Sequence, residues 1–85
     1  MTFEGALIQE QGVTFAVAIV REHVMRSPSD RESALAQFTA LFRVPTVLMA
    51  QDHRGVAEYW GRRDIVDFMA RVPLSRIPWQ RYTVS

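Results

Sequence analysis

Apolar and polar positions change their period several times along the chain, and each period predicts a secondary-structure element. The stretch from Phe3 to Gln9 is typical of a short strand, and residues 10–12 follow it as a tight turn in which Gly12 takes a positive φ. Val13 to Val20 is apolar at both odd and even positions. We therefore expect this segment to be a central strand with at least one face fully covered.

A helix is predicted after a polar stretch that spans residues 21–26. Two start points are compatible with the sequence. Either Ser27 caps the helix and Pro28 is its first residue, or Ser29 caps it and Glu32 completes a capping box. Four apolar residues at helical spacing then predict the buried face, and they are Leu35, Phe38, Leu41 and Phe42.

The second half of the chain repeats the pattern of strand, turn, strand and helix. Residues 44–51 predict a strand that begins with a proline, residues 52–55 a four-residue turn, and residues 56–60 the returning strand. After Gly61 the spacing predicts a helix over 62–72, which Pro73 ends. The expected element order is therefore β-β-α-β-β-α.

The last segment, residues 74–85, is predicted to be a tail packed on the body of a single domain that spans residues 1–85. It carries Trp79 and Tyr82, and large aromatic side chains are costly to leave in water. We expect Trp79 to pack on the body and the last two or three residues to fray.

This order predicts a two-layer α/β (α+β) fold with a four-stranded mixed sheet and two helices on one face. The helix between the second and third strands implies a parallel pair with a right-handed crossover. The second face of the sheet would then present a small apolar surface suited to coverage by the tail or by another subunit. Its expected interface residues are Ala16, Ala18, Leu48 and Ala50.

Residues 44–50, the turn at 52–55, Tyr59, Gly61 and the helix around 65–69 together resemble the C-terminal half of the thioredoxin fold. In that family a Pro-Thr pair opens a strand, and the proline is cis and borders the active site. The resemblance implies that Pro45 is cis and that the loop 21–29 lies beside it. The chain has no Cys-x-x-Cys, so the resemblance implies no catalytic residue. As a whole the chain also resembles a small bacterial protein family, and that resemblance implies no particular function.

Composition narrows the possible chemistry. The chain has 85 residues, of which 48% are hydrophobic and 22% charged, as in ordinary globular proteins rather than disordered ones. It has no cysteine, which excludes disulfides, cysteine nucleophiles and the usual structural zinc sites. All ten basic residues are arginine, which indicates a GC-rich, bacterial genome. With no lysine, Schiff-base chemistry on a lysine is also excluded.

Charge and motifs give expectations about partners and location. A net charge of +1 argues against nucleic-acid binding, and the longest apolar run spans only eight residues, too few for a membrane helix. With no signal-peptide pattern at the start, we expect a cytoplasmic protein. The sequence contains no phosphate loop, dinucleotide fingerprint or nucleophile elbow, so no cofactor and no metal are expected.

Two clusters are candidate ligand-binding sites. Gly61, Arg62 and Arg63 open the last helix, where two guanidinium groups and free amides suit an anion; alternatively Asp64 and Asp67 balance the arginines on a solvated face. A second cluster would lie beyond the carboxyl ends of the parallel strands, where open sheets bind ligands. Its members are His23, Gln51 and His53.

Three hypotheses about function follow. The first is a non-enzymatic module that associates as a homodimer or as a subunit of a complex, because the chain is small and lacks a catalytic constellation. The second is a small anionic-ligand domain that uses the helix start at 61–64. The third is an enzyme with a histidine-containing site at the ends of the parallel strands.

Overall fold

The computed structural model of the chain describes residues 1–84 and contains a five-stranded mixed sheet, three α-helices and one 3-10 turn. The strands are β1 (Thr2–Glu10), β2 (Val13–Ile19), β3 (Thr46–Gln51), β4 (Ala57–Trp60) and β5 (Gln80–Thr83). The helices are α1 (Glu22–Arg26), α2 (Pro28–Phe42) and α3 (Arg63–Met69), and the 3-10 turn spans Leu74–Arg76. The α+β class and the mixed sheet are as predicted, whereas α1 and β5 add one helix and one strand.

The sheet has the order β4-β3-β2-β1-β5, and its parallel pair lies at the centre. β1 and β2 form a hairpin through Gln11 and Gly12, whose φ angles of 51° and 79° match a two-residue turn with both φ values positive. β2 and β3 are parallel, as predicted, with α2 as the crossover. The outer strands β4 and β5 each pair with one antiparallel neighbour.

The start of α2 follows the first of the two predicted alternatives. Pro28 is its first residue and Ser27 its N-cap, whose Oγ accepts a long 3.5 Å hydrogen bond from the Asp30 N–H. The helix ends at Phe42, and its C-cap Arg43 adopts the left-handed conformation and donates its N–H to Thr39 O at 2.8 Å. That conformation usually requires glycine, so the sequence does not signal this end.

The helices cover opposite faces of the sheet. The odd positions of β2 and β3, among them Val17 and Val47, face α3, and the even positions, among them Ala18 and Leu48, face α1 and α2. The largest fully buried side chains include Leu48, Met49 and Met69. Burying a side chain of this size contributes roughly 1.5–3 kcal/mol.

The predicted placement of both helices on one face is therefore wrong, and so is the interface predicted from it. The side chains of Ala16, Ala18, Leu48 and Ala50 are at most 2% exposed. Helices α1 and α2 cover this face because the crossover between the parallel strands places them there. The opposite face carries larger side chains from β2 and β3, and α3 and the tail cover it.

Trp79 in the tail packs on the body. The indole Nε1–H donates to Leu74 O at 3.2 Å, and the ring packs against the cluster under α3 together with Ile77. The chain then forms β5, which a tail was not expected to do. The predicted fraying does not apply to Thr83 and Val84, since Thr83 pairs with β1 and the N–H of Val84 donates to Met1 O at 2.8 Å. Ser85 lies outside the described residues.

Two expectations from the thioredoxin resemblance differ from the structure. The peptide bonds through residue 84 are all trans, including the one before Pro45. The segment 21–29 follows the carboxyl end of β2, whereas Pro45 precedes the amino end of the parallel strand β3. Because parallel strands begin at the same edge of a sheet, the segment and the proline lie at opposite ends.

Candidate functional site

The carboxyl ends of β2 and β3 place His23, Gln51 and His53 at the same end of the sheet. His23 lies on α1, Gln51 ends β3, and His53 follows in the turn to β4. The Gln51 side-chain amide donates to Gly55 O at 3.1 Å, which stabilises that turn. Among residues 1–84, no hydrogen bond or ion pair joins the three side chains. They share one end of the sheet, and a catalytic role for them stays a prediction.

Asp52 organises the turn between β3 and β4. Its Oδ1 accepts hydrogen bonds from the N–H groups of Arg54 and Val56 at 2.8 and 3.0 Å. The hydrogen bond from Val56, followed by that from Arg54, lowers the pKa of Asp52 below its usual value. The carboxylate thus accepts hydrogen bonds from the backbone of its own turn, which is the ordinary structural role of Asp at such a position.

The arginines at the start of α3 are paired with aspartates of the same helix. Arg62 makes a bidentate contact with Asp64, with both N···O distances 2.8 Å, and Arg63 Nε lies 3.4 Å from Asp67 Oδ1. The Arg62 guanidinium lowers the pKa of Asp64. All four side chains are more than half exposed, and Gly61 serves as the break before the helix. Their charges are therefore balanced on a solvated helix face, which was the predicted alternative to an anion site.

Two buried polar atoms were not anticipated from the sequence. The hydroxyl of Tyr59 and Nε of Arg31 are both shielded from solvent without a hydrogen-bond partner among residues 1–84. Burial raises the pKa of Tyr59. Its ring lies in an apolar cleft of about 440 Å³ between β4 and α3, lined also by Ala57, Val66 and Leu74. No group of three or more acidic or histidine side chains in the described chain could hold a metal ion.

Among residues 1–84, the outer edge of β5 is unpaired, and no local sequence pattern predicts this edge. Val84 and Met1 exchange two backbone hydrogen bonds, with N···O distances of 2.8 and 3.0 Å. In an antiparallel ladder such hydrogen-bonded pairs alternate with pairs that make no hydrogen bonds to each other. Tyr82 and Gln80 therefore direct their backbone groups toward β1, whereas Arg81 and Thr83 direct theirs away from the sheet.

Exposed apolar side chains border this edge on the side of α2. Met1 is 56% exposed, Leu7 47% and Leu41 41%. They line two open clefts of about 510 and 460 Å³ that share Leu41 and Val84. We call the free edge of β5 and these side chains the β5 surface. Its border consists of Met1, Leu7, Leu41 and Val84.

The opposite edge of the sheet is bordered differently. Beside β4, Arg26 and Glu58 form an ion pair with an N···O distance of 2.8 Å, and the charged pairs of α3 follow. Charged side chains are a common means of protecting a free edge from pairing with another chain. Val56 is exposed next to β4, and it lines neither of the two clefts at β5.

No family model, curated protein or solved structure matches this chain. The structure alone therefore assigns the class, an α+β fold with helices on both faces of a five-stranded mixed sheet. Within residues 1–84, no helix is both long enough and apolar enough to span a lipid bilayer. Among the described residues, the β5 surface combines a free strand edge with several exposed apolar side chains.

Proposed function

We propose that the chain functions by self-association, with a second copy docking on the β5 surface. One observation carries this proposal: an unpaired strand lies directly beside exposed apolar side chains. Backbone donors and acceptors at a free edge favour pairing with another strand, and the apolar border adds a non-directional gain from burial. Strand pairing and apolar burial would both occur at the β5 surface.

The size of the chain gives a physical reason for association. A domain of this length buries only about 60% of the surface of its unfolded chain, so its stability margin is narrow. Covering Met1, Leu7 and Leu41 against a second copy would add apolar burial that the single chain lacks. Association would stabilise the folded state in proportion to the affinity and concentration of the partner.

A charge placed in the border tests the proposal. We expect the wild type to dimerise in sedimentation equilibrium across a concentration series. Leu41→Arg should weaken the dimer at least about tenfold, because it would bring two unpaired charges into the interface. Val56→Arg is the matched control, since Val56 is also exposed but lies near β4. A wild type that stays monomeric, or an equal effect of both variants, would contradict the proposal.

A backbone variant provides a second test that does not depend on the side chains. The N–H of Thr83 points away from β1, so Thr83→Pro removes a donor that the single chain does not use. Circular dichroism should show an intact fold, while sedimentation equilibrium should show weaker association. A dimer unaffected by both Leu41→Arg and Thr83→Pro would place the interface elsewhere and refute the β5 surface.

A further inference from the structure

Backbone groups along β5 alternate between facing β1 and facing outward, and this alternation restricts how two copies can pair. The inference drawn from it rests on the proposed self-association. Within β5 (Gln80–Thr83), Arg81 and Thr83 are the residues that direct backbone groups outward. In an antiparallel pair, outward-facing residues must oppose outward-facing residues. If two β5 strands pair around a two-fold axis, at least one opposed pair must be 81 with 81, 81 with 83, or 83 with 83. The axis therefore passes at Arg81, Tyr82 or Thr83.

Two of these registers are unfavourable. With Arg81 on the axis, two guanidinium side chains lie directly opposite each other, and like charges in that position are destabilising. The same register opposes Thr83 to Trp79, whose N–H already donates to Ile77 O at 2.8 Å. With Thr83 on the axis, the outward backbone groups of Arg81 find no partner among the described residues of the other copy, because β5 ends at Thr83 and position 84 faces inward.

The register with Tyr82 on the axis satisfies all the outward groups. Arg81 of each copy then opposes Thr83 of the other, which forms two hydrogen-bonded pairs and four N–H···O bonds. Arg81 keeps Glu4 on its other side, at an N···O distance of 3.6 Å. In each copy the positive charge of Arg81 is therefore balanced by Glu4 of the same copy. This balance of charge favours a second copy over a strongly acidic or strongly basic partner.

The side chains on the α2 side fit the same register. The Tyr82 ring stacks on Phe3 at a centroid distance of 5.2 Å and meets Phe42 edge-on at 5.2 Å. Opposed residues that make no hydrogen bonds to each other have their side chains closest together. Two Tyr82 rings on the axis would therefore join the aromatic clusters of the copies, with Leu41 of each helix α2 beside them.

We infer that two copies pair β5 with β5 in antiparallel orientation, with Tyr82 on the two-fold axis, to form one continuous ten-stranded sheet. Disulfide trapping tests this register cleanly, because the chain contains no cysteine. Arg81 and Thr83 are both exposed, so Arg81→Cys and Thr83→Cys should leave the fold intact. Opposed residues of a hydrogen-bonded pair have Cα atoms about 5.5 Å apart, which suits a disulfide.

The two variants are oxidised separately and as an equimolar mixture, one of them labelled with ¹⁵N, and the products are identified by mass spectrometry. The mixed disulfide between position 81 and position 83 should form much faster than either symmetric disulfide. If a symmetric disulfide of Arg81→Cys or of Thr83→Cys were the main product, the register with Tyr82 on the axis would be wrong. The two copies would still pair through β5, but in another register.

Sedimentation equilibrium of the same variants under reducing conditions separates the two proposals. A reversible dimer that yields none of the three disulfides would overturn β5 pairing while self-association through another surface remained. A monomer at all concentrations would overturn both the register and the proposed function. A reversible dimer with the mixed disulfide as the main product supports both.

Discussion

The guanidinium carbon of Arg31 lies 4.4 Å from the centroid of the Trp60 ring, a cation–π contact between α2 and β4. The same guanidinium donates from Nη1 to Met25 O at 3.2 Å, which joins it to the end of α1. One side chain therefore links both helices of this face to the edge strand of the sheet. A contact of this kind contributes about 0.5–2 kcal/mol, depending on how far it is shielded from water.

We expect Arg31→Met to lower the free energy of unfolding by about 1–2 kcal/mol, because it keeps most of the apolar stem but removes the cation and its hydrogen bond. Urea denaturation measures the loss. In a Trp79→Phe background the fluorescence of Trp60 should change as well. Arg21→Met, at an exposed position before α1, is the control and should be nearly neutral. Equal stability of the two variants would contradict a structural role for the Arg31–Trp60 contact.

Gly61 should be far less tolerant of substitution than Gly55, although both have positive φ. Gly61 has φ 151°, and an added Cβ would lie 2.8 Å from Cγ1 of Val47, a buried residue. Gly55 has φ 80° and open space around it. We expect Gly61→Ala to cost roughly 3 kcal/mol and Gly55→Ala about 1 kcal/mol. Denaturant unfolding measures the loss of free energy of unfolding in each variant. Similar losses would show that the close approach of position 61 to Val47 does not determine the cost of substitution.

Acid should destabilise the fold partly through Asp52. Its pKa is lowered in the folded chain by the hydrogen bonds from Val56 and Arg54, so the unfolded chain binds a proton more readily. The resulting stability is present above the unfolded pKa and is lost as pH falls through the lower folded pKa. The free energy of unfolding of the wild type should therefore decline between about pH 5 and pH 2.

Denaturation at a series of pH values tests this assignment. Asp52→Asn should give a shallower decline than the wild type, and adding Asp64→Asn should flatten it further, because Arg62 lowers the pKa of Asp64. If the wild type and the double variant lost stability with the same slope, these two carboxylates would not be the groups responsible.

The hydroxyl of Tyr59 should contribute nothing to stability. It is buried without a hydrogen-bond partner among residues 1–84, so Tyr59→Phe removes a desolvated polar atom and breaks no hydrogen bond. We expect the free energy of unfolding to stay the same or rise by up to about 1 kcal/mol. Tyr82→Phe provides a comparison at the other tyrosine. A clear loss of stability in Tyr59→Phe would reveal a partner for the hydroxyl, such as a bound water.

The amino-acid sequence by itself determined the hairpin, the parallel pair and the two longer helices. Their signals are local: the doubly apolar Val13–Val20 segment, the turn at Gly12, and the proline start of α2. The turn at 52–55 was also predicted, and the balance of Arg62 and Arg63 by Asp64 and Asp67 was anticipated as the alternative to an anion site, since both depend on residues within a few positions.

The tertiary structure alone decided which face each helix covers and where the free edge lies. Helix α1 has five residues and β5 has four, too few to show a period, and β5 pairs with β1 at the other end of the chain. The sequence predicted that at least one face of β2 is fully covered, but not which element covers each face. Burial of Ala18 and exposure of Leu41 depend on contacts between distant segments, and no local pattern specifies them.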